Sequence, residues 1–372
     1  MDGNELEKGS RRFKFSKAGE KAVHQVAYGQ KQFGWYGVSF KLADDEGGEI
    51  RHDAAFALVD ADKRKAGYES PYFIWNYGLT EVGDILKTLG VRRTLLGKRS
   101  EADVADYTLT LGQYPYLHTK GKTEAEVLAE FEPRIKELRA KYPHCNQALI
   151  FHESGGGPYP VEIFGEKTAL TDEDIVRDRE MTERAIVMAK AWRKLAPDVT
   201  LAVGNSGTSI RLLARLFRQK YPRELIDFTG DEGSGGSVPS ERAVSGAFWS
   251  LRELARIYGY EGVEPTACYE WSTRRIRQNG PRKNAEYRIR DALVALAWNS
   301  RLVPLTTVCE SPSAYFNTVW AEAALTRPPL LYPLPVFPAI ATLTQVLDGA
   351  KFARLIPTGS ATVYALEFVR GR

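Results

Sequence analysis

The sequence predicts a (β/α)8 barrel, or TIM barrel, with a small β-rich side domain formed by the N- and C-terminal segments. Three observations lead to this fold class. From about residue 70, short apolar runs alternate with amphipathic segments eight times over about 250 residues, which is typical of eight β/α units. Polar residues follow most of these runs, as they do where strand ends open onto a cleft. The segments outside the alternation carry strand patterns without a helical period.

A doubly wound open sheet is the alternative architecture for this alternation. Such sheets usually have about five or six strands, and they do not require a polar residue at every strand end. In a barrel the carboxyl ends of all strands meet on one face, so polar residues gather there. We therefore expect a barrel over residues 69–345, between an N-terminal β-rich segment 1–68 and a C-terminal segment 346–372.

The N-terminal segment predicts a β-hairpin or part of a sandwich. Two runs with strand composition, residues 33–42 and 54–59, flank a polar turn at 44–48 that contains two glycines. Strands joined by a short glycine-containing turn are typical of antiparallel pairing. No helical period is present in this segment.

Eight strands and the helices between them are predicted for the barrel. The predicted strands cover residues 71–75, 91–96, 107–111, 147–151, 199–205, 225–228, 265–270 and 302–308. The predicted helices cover about 80–89, 123–141, 171–192, 208–220, 239–258, 284–299 and a stretch from about 314. Gly90 and Pro143 end two helices, because glycine adopts the left-handed C-cap conformation and proline cannot continue a helix.

Apolar stripes on the helices predict which side chains enter the core. On the helix from 171, the predicted stripe is Ile175, Met181, Ala185, Met188 and Trp192. Two further tryptophans, Trp249 and Trp298, also fall on helix stripes and are expected in the core.

The C-terminal segment predicts a helix over 340–352 and then one strand over 361–369. A single strand cannot bury itself. We therefore expect it to pair with the N-terminal strands in a side domain; the alternative is that the natural protein continues beyond this strand.

Composition argues against several function classes. The 51 basic and 47 acidic residues are interspersed, so no nucleic-acid footprint is expected. No run of about 18 apolar residues predicts a membrane span. Three scattered cysteines predict neither a disulfide framework nor a metal site. The first residues lack the apolar core of a signal peptide, which leaves a cytoplasmic protein and a secreted protein without its leader both open.

Two glutamates stand at the ends of predicted buried strands. Glu153 follows the run 147–151 and precedes three glycines, and Glu270 ends the run 265–270 beside aromatic residues. Glycosidic bond cleavage needs two carboxyl groups, one as proton donor and one as nucleophile or base. Because these strands are the fourth and seventh predicted, both carboxyl groups are expected at the same barrel mouth.

The sequence resembles the retaining glycoside hydrolases that share the (β/α)8 barrel and form clan A. The resemblance covers residues from about 70 to 345, and Tyr269–Glu270–Trp271 is similar to the family's nucleophile pattern. It implies that Glu153 is the acid/base and Glu270 the nucleophile. His152 stands where the family usually has an asparagine that binds the sugar 2-hydroxyl. Arg92, or its neighbour Arg93, is the candidate for an arginine on strand two that orients the nucleophile.

Further residues at predicted strand ends and in adjacent loops are candidates for binding a saccharide or glycoside substrate. Tryptophan rings are platforms for the apolar faces of sugars, and the polar groups are hydrogen-bonding partners for hydroxyl groups. These candidates are Trp75, Asn76, Tyr116, His118, Asn205, Asp231, Tyr269, Trp271 and Glu310. No cofactor is predicted, and the oligomeric state is left open.

Other chemistries fit the sequence less well. The five histidines show no ligand-pair spacing, so metal hydrolysis is not expected. No Gly-x-Ser-x-Gly motif follows a strand, which argues against a serine nucleophile. The alternative from another class is a catalytically inactive carbohydrate-binding or scaffolding barrel, for which His152 is the motivating departure.

Overall fold

A computed structural model describes most of the chain. The described residues are 5–27, 29, 31–64, 70–75, 83–91, 93–95, 108–111, 122–141, 145–150, 171–203, 209–231, 240–268, 276–307, 326–327 and 332–371.

The N-terminal segment forms the predicted hairpin. Strands β1 (Gly34–Ala43) and β2 (Glu49–Leu58) pair antiparallel, with Gly34 opposite Leu58 and Ala43 opposite Glu49. The turn is held by Asp44, whose Oδ1 accepts hydrogen bonds from the backbone N–H groups of Glu46 at 3.0 Å and Gly48 at 2.6 Å. A short acidic side chain is favoured here because it replaces a backbone partner within the turn.

Eight parallel strands form the central sheet. They are β3 (Tyr72–Trp75), β4 (Arg93–Leu95), β5 (Thr108–Leu111), β6 (Cys145–Leu149), β7 (Thr200–Val203), β8 (Phe228–Asp231), β9 (Glu264–Cys268) and β10 (Val303–Thr307). The spatial order is β10-β3-β4-β5-β6-β7-β8-β9, and every neighbouring pair is parallel. Chain order and spatial order therefore agree, except that the last strand lies beside the first.

The two end strands of this order also approach each other. Residues of β9 and β10 lie within 8 Å of one another, measured between Cα atoms. Eight strands, with helices in six of the seven connections between them, confirm the predicted alternation within the described residues, and the helix predicted from about 314 lies outside those residues.

A helix lies between consecutive strands of the sheet in six of the seven connections, and the residues between β4 and β5 lie outside the described ranges. They are α1 (Gly83–Thr88), α2 (Glu124–Lys141), α3 (Asp172–Leu195), α4 (Ser209–Arg218), α5 (Ser240–Ile257), α6 (Ile276–Ala297) and α7 (Val336–Val346). Gly90, with φ 65°, follows α1 as predicted. Gly280 interrupts α6 with φ 76°, so its first turn is kinked away from the rest. Within the described ranges no helix has both the length and the apolar character needed to cross a lipid bilayer.

The core lies between the strands and the helices. Its largest fully buried side chains include Phe73 and Phe228 from the sheet and Phe131 and Trp192 from the helices. Burial of such side chains is the main favourable term in folding. Trp192 confirms its predicted place in the core.

Two predictions about helix faces are wrong. Trp249 is 52% exposed, whereas its neighbour Phe248 is buried and stacks on Trp298, with ring centroids 5.9 Å apart. On α3, Ile175 is 44% exposed, and the buried face of the first half instead carries Asp174, Asp178 and Thr182. The apolar stripe of α3 holds only in its second half.

The strand predicted at 225–228 is displaced along the chain. Residues Arg223–Leu225 form a 3-10 turn, and β8 begins only at Phe228. Leu225 and Ile226 are buried, so their apolar character reflects burial and not strand geometry.

The C-terminal segment differs from its prediction. Helix α7 ends at Val346, and Phe352 lies in strand β13 (Ala350–Ile356). The last strand, β14 (Ala365–Arg370), pairs antiparallel with β13 and not with β1 or β2. Gly349, with φ 65°, turns the chain between α7 and β13, which explains why the helix stops early.

Both chain ends nevertheless contact the same helix. Gln345 of α7 donates its side-chain N–H to the carbonyl of Asp60 at 3.0 Å, and its own carbonyl accepts from the Arg370 guanidinium at 2.8 Å. A short two-stranded sheet, β11 (Thr326–Arg327) and β12 (Tyr332–Pro333), lies near β2. Trp35 of β1 donates to the carbonyl of Pro333 at 2.8 Å.

Candidate active site

The carboxyl ends of the eight strands define one edge of the sheet. Because every pair is parallel, all strands end on the same side. Strand β6 ends at Leu149, four residues before Glu153, and β9 ends at Cys268, two residues before Glu270. The two predicted catalytic glutamates therefore follow the fourth and seventh strands of the sheet, as predicted from sequence.

Strand register aligns these ends at a similar height. Leu149 lies opposite Ala202, and Val203 lies opposite Thr229. After an irregularity, Asp231 of β8 lies opposite Cys268 of β9. By this register, the strands that lead to the predicted site residues end within a few residues of one another along the strand direction.

Two predicted binding residues fall inside described strands. Trp75 is the last residue of β3 and lies opposite Thr307 of β10. Asp231 is the last residue of β8. Both residues therefore have their backbones at the carboxyl edge of the sheet. The remaining predicted site residues lie outside the described residues: Asn76, Arg92, Tyr116, His118, His152, Glu153, Asn205, Tyr269, Glu270, Trp271 and Glu310.

Of the two arginine candidates on strand two, Arg93 lies within the described residues. Arg93 is the first residue of β4, opposite Phe73 of β3, and the strand ends at Leu95. Arg93 therefore stands at the amino end of the strand. Arg92 precedes it in sequence.

Helix α3, which follows the segment containing Glu153, begins at a capping box. Thr171 Oγ1 accepts from the backbone N–H of Asp174 at 3.1 Å, and Asp174 Oδ2 accepts from the backbone N–H of Thr171 at 3.2 Å. Two hydrogen bonds lower the pKa of Asp174. The one from the Thr171 side chain has the larger effect, and the one from the Thr171 backbone N–H has the smaller. These reciprocal bonds fix where the helix starts.

An ion pair joins the helices on either side of β9. The Arg290 guanidinium on α6 holds the carboxylate of Glu241, the second residue of α5, with Nε 2.7 Å from Oε1 and a second bond from Nη2 to Oε2. The Arg290 hydrogen bond lowers the pKa of Glu241. This fork geometry is the strong form of an arginine–carboxylate pair.

Sequence reasoning missed the buried polar residues of the outer helices. Asp178 on α3 and Arg215 on α4 form a buried ion pair. On α6, Asn284, Arg288 and Asp291 are buried, and Arg288 Nη1 lies 4.0 Å from Asp291 Oδ2. Their spacing along the sequence could have indicated a shared polar face, because residues three, four or seven positions apart lie on one face of a helix.

The described residues contain no group of three or more histidine, cysteine, aspartate or glutamate side chains placed to hold a metal ion.

No family model and no curated protein matches the sequence. Among solved structures, the chain is similar to a β-galactosidase from Rahnella sp. R3, with a TM-score of 0.47 and 10% identity over 78% of this chain and 58% of that one. It is also similar to a GH10 xylanase from Thermobacillus composti (TM-score 0.42, 12% identity, 73% and 96% of the two chains). A third is a β-glucosidase from Thermotoga maritima (TM-score 0.42, 12% identity, 72% and 85%). The similar structures thus include glycoside hydrolases, the class that the sequence resembles.

Proposed function

We propose that the eight-stranded sheet closes into a (β/α)8 barrel. A flat sheet with strands about 4.8 Å apart would hold its two edge strands about 34 Å apart. The approach of β9 and β10 to within 8 Å supports closure. The place of the last strand beside the first supports it too, since an open sheet would need a long connection back to that edge.

We propose that the chain divides into an N-terminal segment 1–68, a barrel 69–345 and a C-terminal segment 346–372. The hairpins at the two ends are separate sheets, so the side domain would be joined through α7 and not through strand pairing. The contacts of Gln345 with Asp60 and Arg370 support this arrangement.

We propose that the protein is a retaining glycoside hydrolase acting on an oligosaccharide, polysaccharide or glycoside. The observation that carries this proposal is that β6 and β9 precede Glu153 and Glu270 in one parallel sheet, with β7 and β8 between them. Three strand spacings amount to about 14 Å along the sheet, and curvature shortens the direct distance. Two glutamate side chains that point into the barrel mouth would then approach the separation of about 5 to 5.5 Å that retention requires.

In the proposed reaction, Glu270 attacks the anomeric carbon and forms an ester with it. Glu153 donates its proton to the leaving oxygen, so that the glycosidic bond breaks and an alcohol departs. Glu153, now a carboxylate, then removes a proton from water; the resulting hydroxyl bonds to the anomeric carbon and releases the Glu270 carboxylate. Proximity of two carboxyl groups favours one protonated and one ionised group, which suits these roles.

The other residues are proposed to bind the substrate. Trp75 and Asp231 end strands at this edge. Their partners in the proposal are Asn76, Arg92, Tyr116, His118, His152, Asn205, Tyr269, Trp271 and Glu310, on the basis of sequence position.

The test is Glu270→Gln, assayed with a panel of nitrophenyl glycosides and natural oligosaccharides. We expect turnover to fall to background while the thermal midpoint stays at the parent value, because the change removes a nucleophile and keeps the side-chain shape. Glu183→Gln, on the exposed face of α3, is the matched control and should keep full activity. Full activity in Glu270→Gln would reject the assignment. A parent protein that binds saccharides on a glycan array without cleaving any of them would favour the inactive barrel instead.

A further inference from the structure

The tip of the N-terminal hairpin, residues 39–43 and 49–53, has one apolar face that stays exposed. In the antiparallel register Phe40 lies opposite His52 and Leu42 lies opposite Ile50, so these four side chains share one face of the ribbon. Phe40 is 52% exposed, Leu42 54% and Ile50 68%. Single exposed apolar residues are ordinary, but a contiguous group on one face indicates a binding surface.

The opposite face of the tip is polar, and its groups pair with one another. Ser39 Oγ donates to Asp53 Oδ1 at 2.6 Å, and the Glu49 carboxylate binds both Lys41 and Arg51. The tip is therefore an amphipathic ribbon. Its polar groups have partners within the hairpin, whereas its apolar face remains open to solvent.

The apolar face lies on the side of the ribbon that turns away from the core. Trp35 belongs to the polar face by register, and at the base of the hairpin its Nε1 donates to the carbonyl of Pro333 in β12 at 2.8 Å. Ala57, which lies opposite Trp35, packs against the core. The face with Trp35 thus turns toward the core, and the apolar face of the tip continues the other side.

Basic charge is concentrated in the segment that precedes this hairpin. Residues 8–31 contain seven lysine or arginine residues and one acidic residue, which gives a net charge of +6. Because the whole chain carries +4, all its other residues together carry −2. A local excess of this size attracts an anionic partner, and salt weakens the attraction.

A loop within this segment, residues 11–24, lies at the hairpin turn. Arg12 Nη2 is 2.9 Å from Oδ1 of Asp45, which belongs to the turn between β1 and β2. The two ends of the loop meet, because Arg11 Nη1 and His24 Nδ1 are 2.9 Å apart and the Phe13 ring packs against the His24 imidazole. Positive charge and the apolar face of the tip are therefore neighbours. The exposed lysines of this basic loop are Lys14, Lys17 and Lys21.

This combination narrows the chemistry of the partner. A nucleic acid uses basic and aromatic groups but gives no role to the aliphatic side chains of Leu42 and Ile50. A stable protein partner needs about 800 Å² on each side, whereas the tip outlines only about 170 Å², at about 17 Å by 10 Å. An anionic lipid bilayer accommodates both features, since lysines are attracted to its headgroups and apolar side chains enter the boundary below them.

We propose that the apolar face of the tip and the basic loop together form a surface that binds anionic lipid bilayers without crossing them. Phe40, Leu42 and Ile50 enter the boundary between headgroups and acyl chains, and the lysines of the basic loop lie at the headgroups. The inference goes beyond the proposed hydrolysis and does not depend on it.

The test is cosedimentation of the full chain with unilamellar vesicles of phosphatidylcholine, with or without about 30% phosphatidylserine. We expect binding to the vesicles that contain phosphatidylserine and release from them in about 0.5 M NaCl. Binding to phosphatidylcholine alone should be at least about tenfold weaker. No binding to either vesicle, or equal binding to both, would overturn the proposal.

The charge variant replaces the lysines of the basic loop, as Lys14→Gln, Lys17→Gln and Lys21→Gln together. Affinity for the anionic vesicles should fall about a hundredfold, at about fivefold for each lysine. The matched control removes the same charge from exposed lysines of α2 and α3, as Lys136→Gln, Lys190→Gln and Lys194→Gln. It should lose less than about threefold, because screened charges far from the bilayer contribute little. An equal loss in both variants would contradict the role of this loop.

The apolar variant is Leu42→Ser with Ile50→Ser, which leaves the charge unchanged. Affinity for the anionic vesicles should fall about tenfold or more, while the thermal midpoint stays at the parent value because both side chains are exposed. The matched control is Ile175→Ser with Val176→Ser, two exposed positions of α3, and it should bind as the parent does. If the apolar variant binds vesicles as well as the parent, or if a DNA duplex binds the parent as tightly as the anionic vesicles do, the partner is a soluble polyanion and the proposal is wrong.

Discussion

The guanidinium of Arg64 occupies the space that a Cβ on Gly90 would need. Its Nη2 donates to the carbonyls of Lys87 and Thr88, at 3.1 and 3.2 Å, and so satisfies the C-terminal end of α1. Its Nη1 donates to Thr344 Oγ1 on α7 at 3.1 Å. One buried side chain thereby links the N-terminal segment to two helices, and glycine at 90 accommodates both the φ of 65° and the close approach of this guanidinium.

Gly90→Ala is therefore expected to destabilise the protein by more than its backbone strain alone. A left-handed conformation costs a non-glycine residue about 1 kcal/mol, and the displaced guanidinium should bring the total to about 2 to 3 kcal/mol. Gly259→Ala is the matched control, because its φ is 75° and its Cβ would meet no atom within 4 Å. Denaturant unfolding measures both. In an Arg64→Ala background the two glycine substitutions should cost the same; a persisting difference would contradict this explanation.

The Glu241–Arg290 pair predicts a pH-dependent contribution to stability. The Arg290 hydrogen bond lowers the pKa of Glu241 in the folded state, so the contribution is fully present above the ordinary glutamate pKa and is lost as pH falls through the lowered value. Glu241→Gln should lower the thermal midpoint at neutral pH, and the difference from the parent should shrink between about pH 5 and pH 3. The exposed Glu183→Gln gives the baseline. A difference that stays constant with pH would be evidence against the pair.

The capping box of α3 predicts a local stability change. Thr171→Ala removes the side-chain acceptor for the Asp174 N–H, which typically costs about 1 kcal/mol. Thr171→Ser keeps the hydroxyl group and should keep most of the stability. Equal loss in both variants, measured by urea unfolding, would show that the methyl group of Thr171 matters more than its hydroxyl.

Azide distinguishes the roles proposed for the two glutamates. In Glu153→Ala, hydrolysis of the glycosyl-enzyme without azide should be about a hundredfold or more slower than in the parent, because the general base is missing. Azide should then attack the glycosyl-enzyme of this variant and give a glycosyl azide of retained configuration. In Glu270→Ala, azide should attack the substrate directly and give the inverted product. Product configuration is read by NMR. Exchange of the two outcomes would reverse the assignment of acid/base and nucleophile.

Strand number and position were predictable because buried parallel strands are continuous apolar runs. The run at 147–151 corresponds to β6, and the run at 265–270 corresponds to β9. The same signal misplaced β8, because Leu225 and Ile226 are apolar and buried but lie outside strand geometry. Hydrophobicity reports burial, and only backbone pairing decides whether a buried segment is a strand.

Helix faces were predictable only in part. Phe248 and Trp249 are neighbours that point about 100° apart on a helix, and a short apolar pattern does not decide which of them enters the core. The first half of α3 was missed for a related reason. Burial of Asp178 depends on Arg215, whose place beside it follows from the packing of two helices.

The sequence by itself determined the local properties of this protein: the apolar runs, the hairpin turn at 44–48, the helix start at 171, the stop at Gly90 and two glutamates that follow predicted strands. Only the tertiary structure decided that β10 lies beside β3, that β13 pairs with β14, and that Asp178 meets Arg215. The physical reason is the separation along the chain of the residues that interact. Turns, caps and periodicity depend on neighbours a few residues apart, whereas pairing between distant segments depends on the packing of the whole chain.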